Sequence, residues 1–186
     1  MRRWTNPRTG AALTVLLAFL ATACGGGGAG SSSAPDASSA SGSSPSASGK
    51  AALPASVALR AEPAGAKGVG EAIEALAATG PVVMRGRVGI EGSDSAYFSL
   101  VDLSQKGCIE MGDECPTPWD YCCTPADVMA KQSATVEFRV DGKLATGSVL
   151  GVHGIDHLKE VVVTGEASKD SAGNVVVVAS GIWVKP

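Results

Sequence analysis

Apolar residues recur with two different periods along this chain, and the change falls at Gly80-Pro81. Before it, Val69, Ile73 and Leu76 stand at i, i+4 and i+7, with Ala72, Ala75 and Ala77 beside them and Glu71 and Glu74 in the first half. That spacing predicts a short amphipathic helix, ended by Gly80-Pro81 and lying on a larger sheet. After it the period is two. Val82, Met84, Gly86, Val88 and Ile90 share one face, and Val83, Arg85, Arg87 and Gly89 share the other. A turn at 91–95 leads to Ala96, Phe98, Leu100 and Asp102, alternating with Tyr97, Ser99 and Val101. A third strand reads Ala134, Val136, Phe138 and Val140, and a fourth reads Val161, Val163, Gly165 and Ala167. The fifth runs Val175, Val177 and Ala179, then resumes as Ile182 and Val184; the slip in phase at Ser180-Gly181 predicts a bulge.

Five strands with one apolar face each are expected to close over a shared core, in a mainly β fold. The runs Val82-x-Met84-x-Gly86-x-Val88, Phe98-x-Leu100-x-Asp102, Val161-x-Val163-x-Gly165 and Ala179-Ser180-Gly181-Ile182 resemble the OB-fold in its nucleic-acid-binding, anticodon-type form. The resemblance covers about residues 81–184 and implies a five-stranded Greek-key barrel, here preceded by the short helix. Gly86 would let the first strand bend enough to serve both sheets. The chain departs from the family in two places. A long loop with four Cys joins strands two and three. The segment between strands three and four holds Gly147, Gly151 and Gly154, so at most a turn of helix near residues 156–160 fits there.

The N-terminus carries an address. Arg2, Arg3 and Arg8 precede a run from Ala11 to Ala23 broken only by Thr14 and Thr22, too short to span a bilayer as a helix. Leu20-Ala21-Thr22-Ala23-Cys24 resembles a bacterial lipobox, with Ala21 where Leu is usual. The resemblance implies cleavage before Cys24 and a diacylglycerol on its thiol. An ordinary signal peptide with a chance Cys is the alternative. Residues 25–49 are 7 Gly, 10 Ser, 5 Ala, 2 Pro and 1 Asp, a composition that cannot bury a core and reads as a flexible tether. The expected organisation is a signal over 1–23, lipidated Cys24 and disordered linker over 24–65, and helix plus barrel over 66–186. The expected location is the extracytoplasmic side of a membrane in the cell envelope.

Composition narrows the partners. Removing the signal takes three Arg and no acid, leaving 12 basic and 18 acidic residues, net −6. A single-strand nucleic-acid platform needs a basic groove and several stacked aromatics. The mature chain has six aromatics, and Phe98, Phe138 and Trp183 are expected to pack the barrel. Nucleic acid is therefore disfavoured against an extracytoplasmic protein, glycan or small solute. By the OB resemblance, the expected binding residues are Arg85, Arg87, Tyr97, Ser99 and Arg139, with Trp119 and Tyr121 from the adjoining loop. The bland reading of Arg85 and Arg87 is a solvated strand face.

The most specific string is Cys115-Pro116-Thr117-Pro118-Trp119-Asp120-Tyr121-Cys122-Cys123, within a C-x6-C-x6-C-C spacing that starts at Cys108. An even Cys count in an exported chain points to disulfides: Cys108–Cys122 with Cys115–Cys123, or Cys108–Cys123 with Cys115–Cys122. No cofactor beyond the lipid is expected on that reading. The alternative is zinc or another transition metal, held by Cys108, Cys115, Cys122 and Cys123 with His153 and His157, or a thiol-redox site. An H-x3-H pair on a helix would present both imidazoles on one face. The chain has no C-x-x-C, G-x-S-x-G, H-E-x-x-H or P-loop motif, and an enzyme is not expected. A structural envelope protein is the remaining alternative.

Overall fold

The computed structural model describes residues 49–186; the expected signal 1–23, Cys24 and the linker as far as 48 lie outside them. A two-residue strand, β1 (Lys67–Gly68), leads into helix α1 (Val69–Ala75) and then into strand β2 (Thr79–Glu91). Val69, Ala72 and Ile73 turn inward from α1, and Leu76 follows them into the core. The helix stops at Ala75, short of Gly80-Pro81. Leu76 is already extended, and Thr79, Gly80 and Pro81 pair with Ser168, Ala167 and Glu166 as strand. Pro81 is tolerated because only one neighbouring strand runs beside it there.

The remaining strands are β3 (Tyr97–Val101), β4 (Ser133–Glu137), β5 (Arg139–Val140), β6 (Lys143–Leu144), β7 (Glu160–Lys169) and β8 (Val175–Val184). Four of them join β2 in the hydrogen-bonded order β2-β3-β4-β8-β7, and β2 pairs with β7 to close the ring. The β4–β8 pairing is parallel and the other four are antiparallel, so the barrel is mixed. β5 and β6 form a separate small hairpin.

Closure depends on β2 changing partners. It pairs with β7 from Thr79 to Arg87 and with β3 from Arg87 to Glu91. Gly86 lies at the change, where a Cβ would stand 2.6 Å from the Val101 carbonyl oxygen and 2.9 Å from Leu100 Cδ1. Only a residue without a side chain lets β3 approach so closely. The interior holds Met84, Val88, Phe98, Leu100, Val136, Phe138, Val161, Val163, Val177 and Ile182. Phe98 and Phe138 meet with ring centroids 6.1 Å apart. Each such side chain contributes about 1.5–3 kcal/mol on burial.

Several expectations are corrected. Ile90 does not share the inner face: one extra residue on β2 between Val88 and Glu91 breaks the alternation, and Ile90 is 53% exposed. Val140 is exposed because β4 ends at Glu137 and the chain enters the β5–β6 hairpin. The bulge at Ser180 is present: Thr164 faces Gly181, Gly165 faces Ala179, and Ser180 is the extra residue. No helix forms over 156–160. Turns there include positive φ at His153 and Leu158, and Val149 and Ile155 are buried from this irregular segment. Ordered chain also begins earlier than 66. Lys50 bridges Ser148, Ala51 is buried, a 3-10 turn spans Ala55–Val57, and Leu59 N–H donates to the Ile182 carbonyl at 2.8 Å. Isolated residues, spaced without a period, make those attachments.

Candidate functional site

The loop 102–132 leaves β3 and returns as β4, carrying two short helices, α2 (Cys108–Met111) and α3 (Ala126–Gln132). Its first residue ties it to the helix before the barrel. Gly70 N–H donates to Asp102 Oδ2 at 3.0 Å, and Ser104 N–H donates to Asp102 Oδ1 at 2.9 Å. Partial burial pushes the Asp102 carboxyl up, but the N–H groups of Ser104 and Gly70 outweigh it and hold the carboxyl below its ordinary range.

Glu110 fixes α2 against the barrel. It accepts from Arg87 Nη1 at 2.6 Å and from Gly107 N–H at 3.0 Å. Those two contacts, Arg87 first, hold its carboxyl below the ordinary value. Gly112, in the left-handed region at φ 81°, ends α2 and turns the chain back. Cys108 N–H and Sγ both reach the Asp120 carbonyl, at 3.3 and 3.2 Å.

These turns gather the four cysteines. Cys122 Sγ lies 3.5 Å from Cys108 Sγ, 3.9 Å from Cys115 Sγ and 3.9 Å from Cys123 Sγ. The sulfurs of Cys108, Cys122 and Cys123 all lie within 4.8 Å of one another. All four are thiols, with no pair at the ~2.05 Å of a disulfide bond. Cys108 is buried, Cys115 is half-buried, and Cys122 and Cys123 are exposed. Cys123 Sγ donates to Asp113 Oδ2 at 3.3 Å. Hydrogen bonding with Cys108 and Cys122 pushes the Cys115 thiol up to about 12. Asp113 and then Cys122 push Cys123 up to about 12.

The expected histidines are not among them. His153 is exposed on a turn. His157 instead lies under Trp119, ring centroids 4.1 Å apart and planes 6° from parallel, with its Nδ1 2.9 Å from the Gly89 carbonyl oxygen. H-x3-H aligns two imidazoles only on a helix, and this segment has none.

A cleft of about 290 Å³ opens between the loop and the outer face of the barrel. Ile90, Tyr97, Ser99 and Thr135 come from strands, and Asp120, Tyr121 and Met129 from the loop. Tyr121 is buried, its hydroxyl has no partner at full hydrogen-bond geometry, and burial raises its pKa against the lowering pull of nearby Arg87. Of the expected binding residues, the structure brings Tyr97, Ser99 and Tyr121 together here. Trp119 stacks on His157 instead.

The arginines do not line the cleft, although Arg87 stands near Tyr121 at its edge, and each is paired with a carboxylate. Arg85 pairs with Glu62 and, at 3.1 Å, with Glu160; Arg87 pairs with Glu110; Arg139 pairs with Glu137 at 2.7 Å. Glu62 and Glu110 sit in segments with no clear period, and Glu160 at the start of β7 pairs across the barrel, so no local sequence signal marks them as partners. Ile90 is missed because the bulge reverses its face, and Met129 because α3 carries no apolar stripe. Comparison with protein-family models and with curated proteins finds no match to this chain.

Proposed function

We propose that the chain is a lipid-anchored, extracytoplasmic binding module on an OB-type barrel, with a small uncharged ligand seated in the cleft between β3–β4 and the loop. The OB reading is supported by the pairing order: the first strand pairs with the second and fourth, and the third runs parallel to the fifth. The anchor reading is supported by the basic start, the short apolar run and the small residues before Cys24. Among the described residues no helix is long and apolar enough to cross a membrane.

One observation carries the ligand reading. Tyr97, Ser99 and Thr135 share a cleft with Tyr121, on the face where OB barrels commonly bind. An aromatic ring beside hydroxyls suits a neutral ligand with apolar and hydroxyl faces, such as a sugar or an uncharged peptide turn. Two experiments test it. Labelled palmitate should enter the wild-type chain and not Cys24→Ala. Amide-resolved NMR titration with neutral oligosaccharides and short uncharged peptides should shift residues 97, 99, 121 and 135. Shifts confined to Arg85, Arg87 and Arg139, on adding an oligonucleotide, would sink the cleft reading.

A further inference from the structure

The geometry points to a mononuclear metal centre on the 102–132 loop: a zinc-class divalent cation bound by the thiolates of Cys108, Cys115, Cys122 and Cys123. It stands apart from the cleft reading and survives if that one fails.

The distances carry it. Four sulfurs arranged tetrahedrally about one ion, at Zn–S bonds of ~2.3 Å, stand about 3.8 Å from one another. Cys122 Sγ stands 3.5, 3.9 and 3.9 Å from the sulfurs of Cys108, Cys115 and Cys123. Cys108, Cys122 and Cys123 lie within 4.8 Å of one another and form three corners; Cys115 lies outside that mutual set and must swing inward to close the fourth. A disulfide would need ~2.05 Å. The four Cys of an iron–sulfur cluster are shared among two or four irons, so they do not all converge on one neighbour. One sulfur–sulfur contact is ordinary packing; the convergence of every cysteine in the barrel domain on Cys122 is not.

The local fold supplies what the C-x6-C-x6-C-C spacing lacks. Gly112 reverses the chain after α2, and Asp113 N–H closes back on the Cys108 carbonyl at 3.0 Å. A turn at 122–124, closed by Thr124 N–H on the Tyr121 carbonyl at 2.9 Å, sets the adjacent Cys122 and Cys123 with sulfurs 3.9 Å apart. The loop also has little core of its own: Cys108 and Tyr121 are its buried large residues, while Ile109 and Met111 are 59% and 47% exposed. Such a segment gains its order from a cross-link.

Binding converts four thiols to four thiolates. It forms four metal–sulfur bonds and releases four protons, with no oxidant or reductant. The Cys123 proton now shared with Asp113 is one of these.

The test uses the full-length chain, reduced and kept anaerobic. Titration with Co²⁺ should end at one ion per chain, with thiolate-to-cobalt charge-transfer absorption and the strong visible bands of a tetrahedral field. Zn²⁺ should bleach both, and X-ray absorption of the zinc form should find only sulfur neighbours, at ~2.3 Å. Cys122→Ser should weaken Co²⁺ binding by at least about tenfold. A chain that is folded by its amide spectrum yet gives no cobalt–thiolate absorption overturns the centre. A zinc shell containing oxygen or nitrogen overturns the four-thiolate assignment. The zinc-form measurement needs no variant, so a misfolded Cys122→Ser leaves the test intact.

Discussion

Trp119 lies flat on His157, with ring centroids 4.1 Å apart, and so fastens the middle of the cysteine loop to the segment before β7. The stack joins two stretches that both lack regular structure. Trp119→Ala should therefore loosen the loop more than the barrel. The expected cost is about 1 kcal/mol in urea unfolding. Amide exchange should quicken over 115–124 and stay unchanged in β7 and β8. Equal loss of protection in both places would contradict a local role.

Asp102 caps α1 from a distance, since Gly68 at the N-cap has no side chain to do so. Asp102→Ala should cost about 1 kcal/mol. Because the folded carboxyl is held below its ordinary range, the unfolded chain binds the proton more tightly. The contribution is therefore present above the unfolded value of ~3.9 and fades as pH falls through the lower folded value. Thermal midpoints from about pH 5 to pH 3 should fall more steeply in wild type than in Asp102→Asn. Parallel slopes would rule out this linkage.

Two glycines of the barrel should answer differently to the same change. A Cβ on Gly165 would stand 2.2 Å from the Val178 carbonyl oxygen, opposite the bulge at Ser180. Gly165→Ala must push two paired strands apart, at about 3 kcal/mol or more. A Cβ on Gly80 meets only Leu76 Cδ1, at 3.9 Å. Gly80→Ala should change stability by less than about 0.5 kcal/mol. Similar midpoints for the two variants in denaturant would refute the close approach.

Arg85, Arg87 and Arg139 each face a carboxylate, so the barrel offers phosphate no unpaired strand-face charge from these three. The full chain should show no oligonucleotide binding by fluorescence anisotropy at micromolar protein and low salt. Replacing Glu62, Glu110 and Glu160 by Gln should create weak binding that fades as salt rises. Tight binding by the wild type would reverse this account.

Much of the barrel is legible in the sequence because alternation is a local signal. Met84, Val88, Phe98, Leu100, Val136, Val161 and Val163 point inward as their spacing requires. Even the bulge at Ser180 leaves a mark, because it displaces Ile182 and Val184 by one position. The bulge before Glu91 leaves none, because Ile90 keeps the apparent phase while turning outward. The site is less legible. Its cleft joins Ile90 and Thr135 to Tyr121 and Met129, which no periodicity relates. Arg85 and Arg87, expected to bind, are instead paired with Glu62, Glu110 and Glu160, which lie 23 to 75 residues from them. The grouping of the cysteines depends on the reversal at Gly112, a backbone property of one residue.

The β2–β7 seam also governs the speed of folding. Its nine residue pairs join Thr79 to Ser168 at one end and Arg87 to Glu160 at the other, so β3, β4 and the whole cysteine loop lie between partners. The β7–β8 hairpin, by contrast, closes over a turn in which Asp170 accepts from the N–H groups of Ala172 and Asn174. The hairpin can form within microseconds. The seam must first pay the entropy of a very long loop, and it sets a refolding time of milliseconds to seconds in stopped-flow. The barrel therefore closes last at this seam, after the hairpin is already made.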